Sequence, residues 1–168
     1  MRGLIASIAI LGLVGLAVGV SAQAVTEAPV LATVTAQLIA VSVLNGTVDY
    51  GILSVSTSKN TISPSQTQTA TNDSNVTAKL NIKSSDAVGG VNWDLAATAA
   101  ADAFTHEFSV DGGTNWTAFS PDNITYSTLN ASVAAGGTQA FDLRIGTPIS
   151  VSDNVQKTIT VTVQATTP

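Results

Sequence analysis

The sequence predicts an all-β fold: a single antiparallel two-sheet sandwich of about eight or nine strands, Ig-like or jelly-roll in arrangement. No stretch keeps the i, i+3, i+4, i+7 spacing of an amphipathic helix, whereas apolar and polar residues alternate in many short runs. Thr and Ser make up 40 of the 168 residues, and charged residues only 10%, against about 25% in ordinary globular domains. Turn residues separate the runs, as expected for the short strands of a sandwich.

Residues 1–24 have the three parts of a secretory signal peptide. Arg2 supplies the positive start, residues 4–20 form an apolar run, and Ser21-Ala22-Gln23-Ala24 has the small residues of an A-x-A cleavage site. The run, of ~17 residues, is at the short limit for a membrane span, and no basic stop-transfer cluster follows it. We therefore expect cleavage after Ala24, a secreted β-sandwich domain over residues 25–168, and no membrane span after cleavage.

The first half of that domain contains three predicted strands. Residues 33–44 are apolar on both strand faces, and residues 47–53 follow, with Gly51 as an interruption. Residues 54–65 are polar and favour a loop or a weak edge strand. Residues 76–82 alternate cleanly between apolar and polar side chains, which is typical of a half-buried strand.

The second half contains the remaining predicted strands. Residues 91–97 follow a Gly89-Gly90 turn, and shorter strands are expected at residues 116–119 and 124–129. Three further strands each place a regular apolar row on one face: Phe104, His106, Phe108 and Val110; Phe141, Leu143 and Ile145; and Ile159, Val161, Val163 and Ala165. His106 lies within such a row, which predicts a core histidine with satisfied hydrogen bonds rather than a catalytic base.

Residues 109–116 carry the most specific local motif, S-x-D-x-G-x-x-W, formed by Ser109, Asp111, Gly113 and Trp116. An aspartate at this position accepts hydrogen bonds from turn amides, and glycine adopts positive φ without steric cost. The motif resembles the Asp-box hairpin of sialidase-type propellers, where it is structural and repeated in each blade. Here it occurs once, so we expect a structural hairpin and no propeller.

Two broader resemblances concern the cell envelope. Asn92-Trp93-Asp94-Leu95 contains a W-x-L tripeptide, similar to the first signature of the WxL cell-wall-binding domains, but residues 159–167 lack the second Trp. The order of signal peptide, apolar first strand, 47–53 segment, polar loop with residues 68–72, and terminal Thr-rich strand resembles small secreted prokaryotic envelope proteins of the TasA and camelysin type. That resemblance implies a β-sandwich and fibre assembly by donor-strand exchange.

Composition and residue spacing exclude several kinds of chemistry. Cysteine is absent, which excludes a disulfide framework and thiolate metal sites. His106 is the single histidine, so a two-histidine zinc site cannot form, and the few Lys and Arg residues are too sparse for nucleic-acid binding. The carboxylates are dispersed along the chain. We therefore expect no enzyme activity, no catalytic residue, no metal and no cofactor, with a paired-carboxylate hydrolase as a remote alternative.

Two groups of residues are candidates for carbohydrate chemistry. Six N-x-S/T sequons are candidate glycosylation acceptors in a host that modifies secreted asparagines, and otherwise they belong to a polar surface; they lie at Asn45, Asn72, Asn75, Asn115, Asn123 and Asn130. Trp93 and Trp116 are candidate platforms for stacking on sugars.

These observations together predict a secreted, non-enzymatic structural protein of the cell surface or extracellular matrix. Residues 25–44 are apolar on both faces, as expected of a strand that is inserted into a neighbouring copy by donor-strand exchange. In the simpler alternative, this segment is the first strand of a self-contained monomer. A non-catalytic module that binds envelope polysaccharide is the alternative function. The expected partners are accordingly the protein itself, other envelope proteins or a cell-wall or matrix polysaccharide.

Overall fold

The structure, a computed structural model, describes residue 27 and residues 29–63 and 65–168. The predicted signal peptide, residues 1–24, lies outside the described residues. The chain divides between Val34 and Thr35, and every strand reported below belongs to the second unit, Thr35–Pro168.

The described residues form ten strands and no helix, which confirms the predicted all-β class. Their bounds are β1 Val41–Leu44, β2 Ser58–Asn60, β3 Gln68–Asn72, β4 Ala78–Val88, β5 Asp94–Leu95, β6 Ala103–Ser109, β7 Thr117–Ala118, β8 Ser127–Val133, β9 Thr138–Gly146 and β10 Thr158–Thr166. Ten strands exceed the predicted eight or nine because β3 was not predicted and β2 forms within the predicted loop or weak edge strand, whereas residues 47–53 form no strand.

Two sheets contain these strands, as the sandwich prediction requires. The larger, seven-stranded sheet has the order β1-β3-β9-β6-β5, with β2 beside β9 and β7 beside β6. The smaller sheet has the order β10-β4-β8. Pairing is antiparallel throughout except between β5 and β6, which run parallel over two residues. Central strands β9 and β4 are therefore covered on both sides, whereas β1 and β10 are edge strands.

The core lies between the sheets, and each sheet contributes the apolar face that its alternation predicts. The larger sheet contributes an aromatic and aliphatic layer: Phe104, Phe108, Phe141, Leu143 and Ile145. The smaller sheet contributes an aliphatic layer: Leu80, Ile82, Ala87, Leu129 and Val133. The predicted apolar rows of β6 and β9 are thus placed inward, with His106 among them, except for Val110, which follows β6 and is exposed.

Several strand bounds differ from those predicted. Only residues 41–44 of the predicted 33–44 strand pair with another strand, and residues 47–53 are irregular. Strand β3 was not predicted as a strand, because its inward positions include two amides, Gln68 and Asn72, instead of apolar side chains. Both amides are buried, and both donate hydrogen bonds to backbone carbonyls. Buried amides with satisfied hydrogen bonds can thus occupy the inward positions of a strand. Such a strand shows no apolar row in its sequence, and alternation does not predict it.

Candidate functional site

An open groove lies between the two sheets on the side of β1 and β10. In the described residues, each of these strands pairs with one neighbour only, β1 with β3 and β10 with β4. The groove has a volume of about 890 Å³, and its lining combines polar residues, such as Gln68, Asp153 and Gln156, with apolar side chains: Val43, Val48, Leu53, Leu143, Ile159 and Val161. The interior of the sandwich is therefore accessible from this side.

The inward row of β10 is incompletely covered. Ile159, Val161 and Val163 are only half-buried, although they face the same core as the neighbouring strand β4. On β4, the equivalent inward residues Leu80 and Ile82 are completely buried. Exposed apolar surface of this kind is unfavourable in water, at about 25 cal/mol per Å². The row is therefore placed to bind a further apolar strand or ligand.

The two strands that flank the groove lack two common protections against pairing, charged side chains and proline. Sheet edges commonly bear charged side chains or proline, which discourage the addition of another strand. Strand β10 has the sequence Thr-Ile-Thr-Val-Thr-Val-Gln-Ala-Thr, and β1 has Val-Ser-Val-Leu. Neither contains a charged residue or a proline, so both edges are chemically suited to accept a partner strand.

The floor of the groove contains a buried polar relay. The Nδ1 atom of His106 lies 2.7 Å from the Ser84 hydroxyl, and Nε2 lies 3.1 Å from the Tyr50 hydroxyl. In a neutral imidazole one nitrogen donates and the other accepts, and each hydroxyl can take the complementary role. His106 also contacts the ring of Phe119, at a centroid distance of 5.1 Å. The histidine is thus a satisfied core residue, as its position in the apolar row predicts.

Burial governs the ionisation of this relay. It lowers the pKa of His106 to about 3, because a charged imidazolium would lose its hydration inside the core. It also raises the pKa of Tyr50 above its ordinary value, for the same reason applied to a phenolate. Both groups are therefore neutral at physiological pH. Ser84 is itself buried, so its hydroxyl is not presented to the groove as a nucleophile.

Tyr50 is positioned by the irregular 45–57 segment. Its backbone carbonyl accepts a hydrogen bond of 2.8 Å from the Lys59 ammonium on β2. Thr57 donates from its backbone amide to the Thr147 hydroxyl, which connects the end of this segment to the residue following β9. Cross-connections of this kind replace the ladder that a regular strand would have, and they hold the tyrosine over the groove floor.

The segment before β1 is strongly apolar and exposed. Val34 exposes 97% of its surface, and Val30 and Leu31 each expose 92%. Alternate positions differ in character, since Val30, Ala32 and Val34 fall on one strand face while Leu31, Thr33 and Thr35 fall on the other. Residues 29–35 are called the leading segment below. Their pattern is that of a half-buried strand, although none of these residues is buried in its own chain.

Residues 36–40 are attached to the domain by two loop side chains. The Asn75 amide donates to the Ala36 carbonyl and accepts from the Leu38 amide, at 2.8 and 2.9 Å. Ser74 makes two corresponding hydrogen bonds with Ala40. Of the predicted exchangeable strand, residues 25–44, the last four therefore form β1 of their own sheet and the preceding five are anchored. Among the described residues of that stretch, residues 29–35 are exposed and precede these anchors.

The predicted hairpin residues are connected by a local hydrogen-bond network. The Ser109 hydroxyl donates to Asp111 at 2.7 Å and accepts from the Gly113 amide at 2.9 Å. Asp111 also accepts from the backbone amide and the side chain of Asn115. These hydrogen bonds, those from Asn115 and Ser109 above all, lower the pKa of Asp111 to about 2. Trp116 packs beside Gly113, where a Cβ atom would lie 3.2 Å from the indole.

The structure places the two tryptophans in separate environments. Arg144 lies over the ring of Trp116 at 4.5 Å from the centroid, and Lys157 lies over Trp93 at 5.5 Å. Each indole therefore has a cation on one face, a favourable arrangement that also covers surface a sugar would need. Trp93 lines the groove, and its Nε1 atom is buried without a hydrogen-bond partner. The two rings do not form the paired platform that would favour the carbohydrate alternative.

The sequon asparagines differ in accessibility. Asn45, Asn75 and Asn115 are exposed, and Asn123 and Asn130 are partly exposed. Asn72 is completely buried, and its amide donates to the carbonyls of Val76, Val133 and Ala134. In the folded chain, Asn72 therefore offers no free amide for glycan attachment. Glycosylation at the other five positions stays a prediction.

The described part of the chain contains neither a cluster of metal-ligating side chains nor a membrane-spanning helix. Among residues 27, 29–63 and 65–168, no three His, Asp or Glu side chains lie close enough together to hold a metal ion. Within the same residues, no helix has the length and apolar character needed to cross a membrane.

Comparison with protein-family models, with curated proteins and with solved structures finds no match to this chain. The resemblances to envelope proteins therefore stay expectations from the sequence. The groove and the His106 relay were not foreseen, because the contacts that create them join residues far apart in the chain. One signal was present in the sequence: the Thr-rich face of residues 158–166 lacks the charges that normally protect an edge strand.

Proposed function

We propose that this protein is a secreted structural protein of the cell surface or extracellular matrix whose copies are joined by strand exchange. The leading segment of one copy occupies the groove of the next and pairs with β10. The observation that carries the proposal is the incomplete burial of the inward β10 row beside an unpaired, uncharged strand edge. The same chain has an exposed segment with the complementary alternation.

The dimensions of the two parts are compatible. A seven-residue extended segment spans ~23 Å at about 3.3 Å per residue, and β10 has nine residues. The apolar face of the leading segment, Val30, Ala32 and Val34, would cover the half-buried row, while the opposite face, Leu31, Thr33 and Thr35, remains outward. Burial of one valine side chain contributes about 1.5–3 kcal/mol, and the strand edge adds backbone hydrogen bonds.

Strand β10 is the preferred edge for this pairing. Strand β1 offers only four residues, whereas β10 offers nine, with a register shift against β4 between Ile159 and Val161. Pairing with β10 would also extend the smaller sheet from three strands to four and would cover more of the core. An added strand thus improves the layer that is least complete in the monomer.

Paired charge substitutions test the proposal in the secreted chain. Val30→Asp with Val34→Asp places carboxylates on the groove-facing side, and Thr33→Asp with Thr35→Asp adds the same charge on the outward side. We expect the wild type and the threonine variant to form oligomers at rising concentration, and the valine variant to remain monomeric. Light scattering after size exclusion and negative-stain microscopy measure the outcome. A wild type that stays monomeric at millimolar concentration contradicts strand exchange.

Secretion is tested separately by the mature N-terminus. We expect the extracellular protein to begin at Val25, because the small residues at positions 22 and 24 fit the cleavage site. Mass spectrometry of the secreted chain reads this directly, and a chain retained in the cell with Met1 intact contradicts it.

A further inference from the structure

The two ends of the sandwich are built from different loops and turns. At one end, named here the turn end, β9 and β4 begin and β8 and β10 finish; it includes residues 72–77 and the turn 134–137. At the opposite end, named the loop end, β4 and β9 finish and β10 begins. It is built from residues 49–57, 88–93 and 147–157.

The leading segment joins its own domain at the turn end. Residues 36–40 are anchored by Ser74 and Asn75, and Val41 then lies opposite Asn72 in the β1–β3 pairing. Asn72 in turn bonds the carbonyls of Val133 and Ala134 at the 134–137 turn. The last residue of the leading segment is therefore tethered near the turn end of the copy that donates it.

The loop end carries a group of exposed apolar side chains, named here the apolar crown: Ile52, Val55, Val91, Ile149, Val151 and Val155. Ile52 is fully exposed, and Ile149 and Val155 are each more than half exposed. Four crown residues, Ile52, Val55, Val151 and Val155, also line the groove at this end. Exposed apolar side chains grouped in one region are typical of interaction sites.

The crown loops are connected to one another. The Lys157 ammonium, almost completely buried, donates to the Gly89 carbonyl and to Asp153, and Asp153 accepts from the Val91 amide. Elsewhere the Ser56 amide donates to Pro148, and the Ile149 amide donates to Ala100. A surface held in this way loses little conformational entropy when it is covered, which favours association.

The charges near the crown argue against a lipid surface as its occupant. Association with anionic lipid needs free Lys or Arg side chains, but the two lysines described near the crown are engaged: Lys157 inside the loops, and Lys59 by the Tyr50 carbonyl. The neighbouring carboxylates Asp102 and Asp153 accept hydrogen bonds within the loop end. An apolar, uncharged protein surface fits the crown better. The 134–137 turn of the turn end offers such a surface in the exposed Ala134, Ala135 and Gly136, beside one exposed carboxylate, Asp73.

We infer that copies stack head to tail, with the apolar crown of one copy covered by the turn end of the next. The leading segment then enters the groove from the loop end and runs antiparallel to β10. This inference rests on the proposed strand exchange and adds its direction. Strand β10 runs from the loop end to the turn end, so an antiparallel donor brings its tethered residue 35 to the loop end of the acceptor.

The opposite direction has a different structural consequence. A leading segment parallel to β10 would bring its tethered end to the turn end of the acceptor. Two copies could then exchange segments reciprocally and form a closed dimer, leaving both crowns exposed. Head-to-tail contacts instead repeat from copy to copy, and they produce a filament wherever the rotation between copies does not close a ring. Antiparallel pairing is also slightly more stable per residue.

The absence of cysteine allows a direct test by disulfide trapping in the full secreted chain. Antiparallel insertion brings position 34 towards 159 and position 30 towards 163, whereas parallel insertion exchanges these partners. We expect oxidation to yield cross-linked ladders with Val34→Cys/Ile159→Cys and with Val30→Cys/Val163→Cys. The swapped combinations, Val34→Cys/Val163→Cys and Val30→Cys/Ile159→Cys, should give few. Ladders only in the swapped combinations would leave strand exchange standing and overturn its direction.

Substitution in the crown tests the second contact. Ile52→Ser with Val151→Ser should raise the concentration needed for filament growth about tenfold, since two apolar side chains lose their cover. Ile124→Ser, at an isoleucine that is also strongly exposed, is the matched control and should leave it unchanged. Unaltered filament growth by the crown variant refutes the head-to-tail contact. A wild type without oligomers or cross-links would refute the proposed function itself.

Discussion

Because His106 is buried in its neutral form, we expect the stability of the folded chain to fall as the pH is lowered below about 6.5. Burial holds its pKa at about 3, whereas an imidazole in the unfolded chain has a pKa near 6.5. Below pH 6.5 the unfolded chain therefore binds a proton that the folded chain does not. The stabilisation is complete above the unfolded pKa and is lost as the pH falls from about 6.5 towards 3.

The magnitude follows from the difference between these two pKa values. Each pH unit below 6.5 costs about 1.4 kcal/mol, and integration from pH 7 to pH 5 gives a loss of about 2 kcal/mol. The carboxylates whose pKa is depressed, such as Asp111, lose their contribution only when the pH approaches the unfolded value near 3.8. The interval between pH 6.5 and pH 5 therefore reports on His106, which is the single histidine of the chain.

Urea unfolding at pH 7, 6 and 5, followed by tryptophan fluorescence, measures this loss. We expect the midpoint to fall with pH while the denaturant slope stays constant, because the surface exposed on unfolding is unchanged. His106→Gln is the control: it is less stable overall but should show no dependence over this interval. A wild-type stability that is flat from pH 7 to pH 5, or a glutamine variant that keeps the slope, refutes the reasoning.

Three other substitutions test the buried polar contacts. Asn72→Ala should lower the free energy of unfolding by about 3 kcal/mol, because three carbonyls lose their donor; Asn75→Ala, at an exposed amide, should cost much less in the same urea titration. Ser109→Ala should cost about 1–2 kcal/mol by removing the partner of the Gly113 amide, measured by thermal unfolding, and an unchanged melting temperature would contradict it. Lys157→Met should accelerate amide hydrogen exchange at residues 89–93, and protection equal to the wild type there would show that the lysine does not hold the loop end.

The strands with a complete apolar row were the most predictable elements. β6, β9 and β10 lie within one to three residues of the predicted bounds, because alternation on one face is a local property of the sequence. The 47–53 segment was predicted as a strand and is irregular. It has apolar residues at the right spacing, but no neighbouring strand offers it a ladder. In its place, hydrogen bonds from Lys59 and Thr57 hold the segment over the groove.

Strand β3, in contrast, forms where the sequence pattern predicts no strand. Its five residues are all polar except Ala70, yet it lies between β1 and β9 and is buried at alternate positions. The partners that satisfy Asn72 come from residues 76, 133 and 134, which are brought together only by the fold. No sequence pattern within the strand predicts them.

The sequence by itself determined the β class, the main inward rows, the position of His106 in the core and the absence of thiol chemistry. Each depends on alternation within a strand or on composition, and both are readable locally. Only the tertiary structure decided that β1 and β10 are edge strands, that the core is open between them, and that the crown and the anchored residues 36–40 lie at opposite ends. These features depend on which strands pair and which do not. Pairing is set by contacts between distant parts of the chain, so the alternating pattern of β10 looks the same whether its inward row is covered or left open.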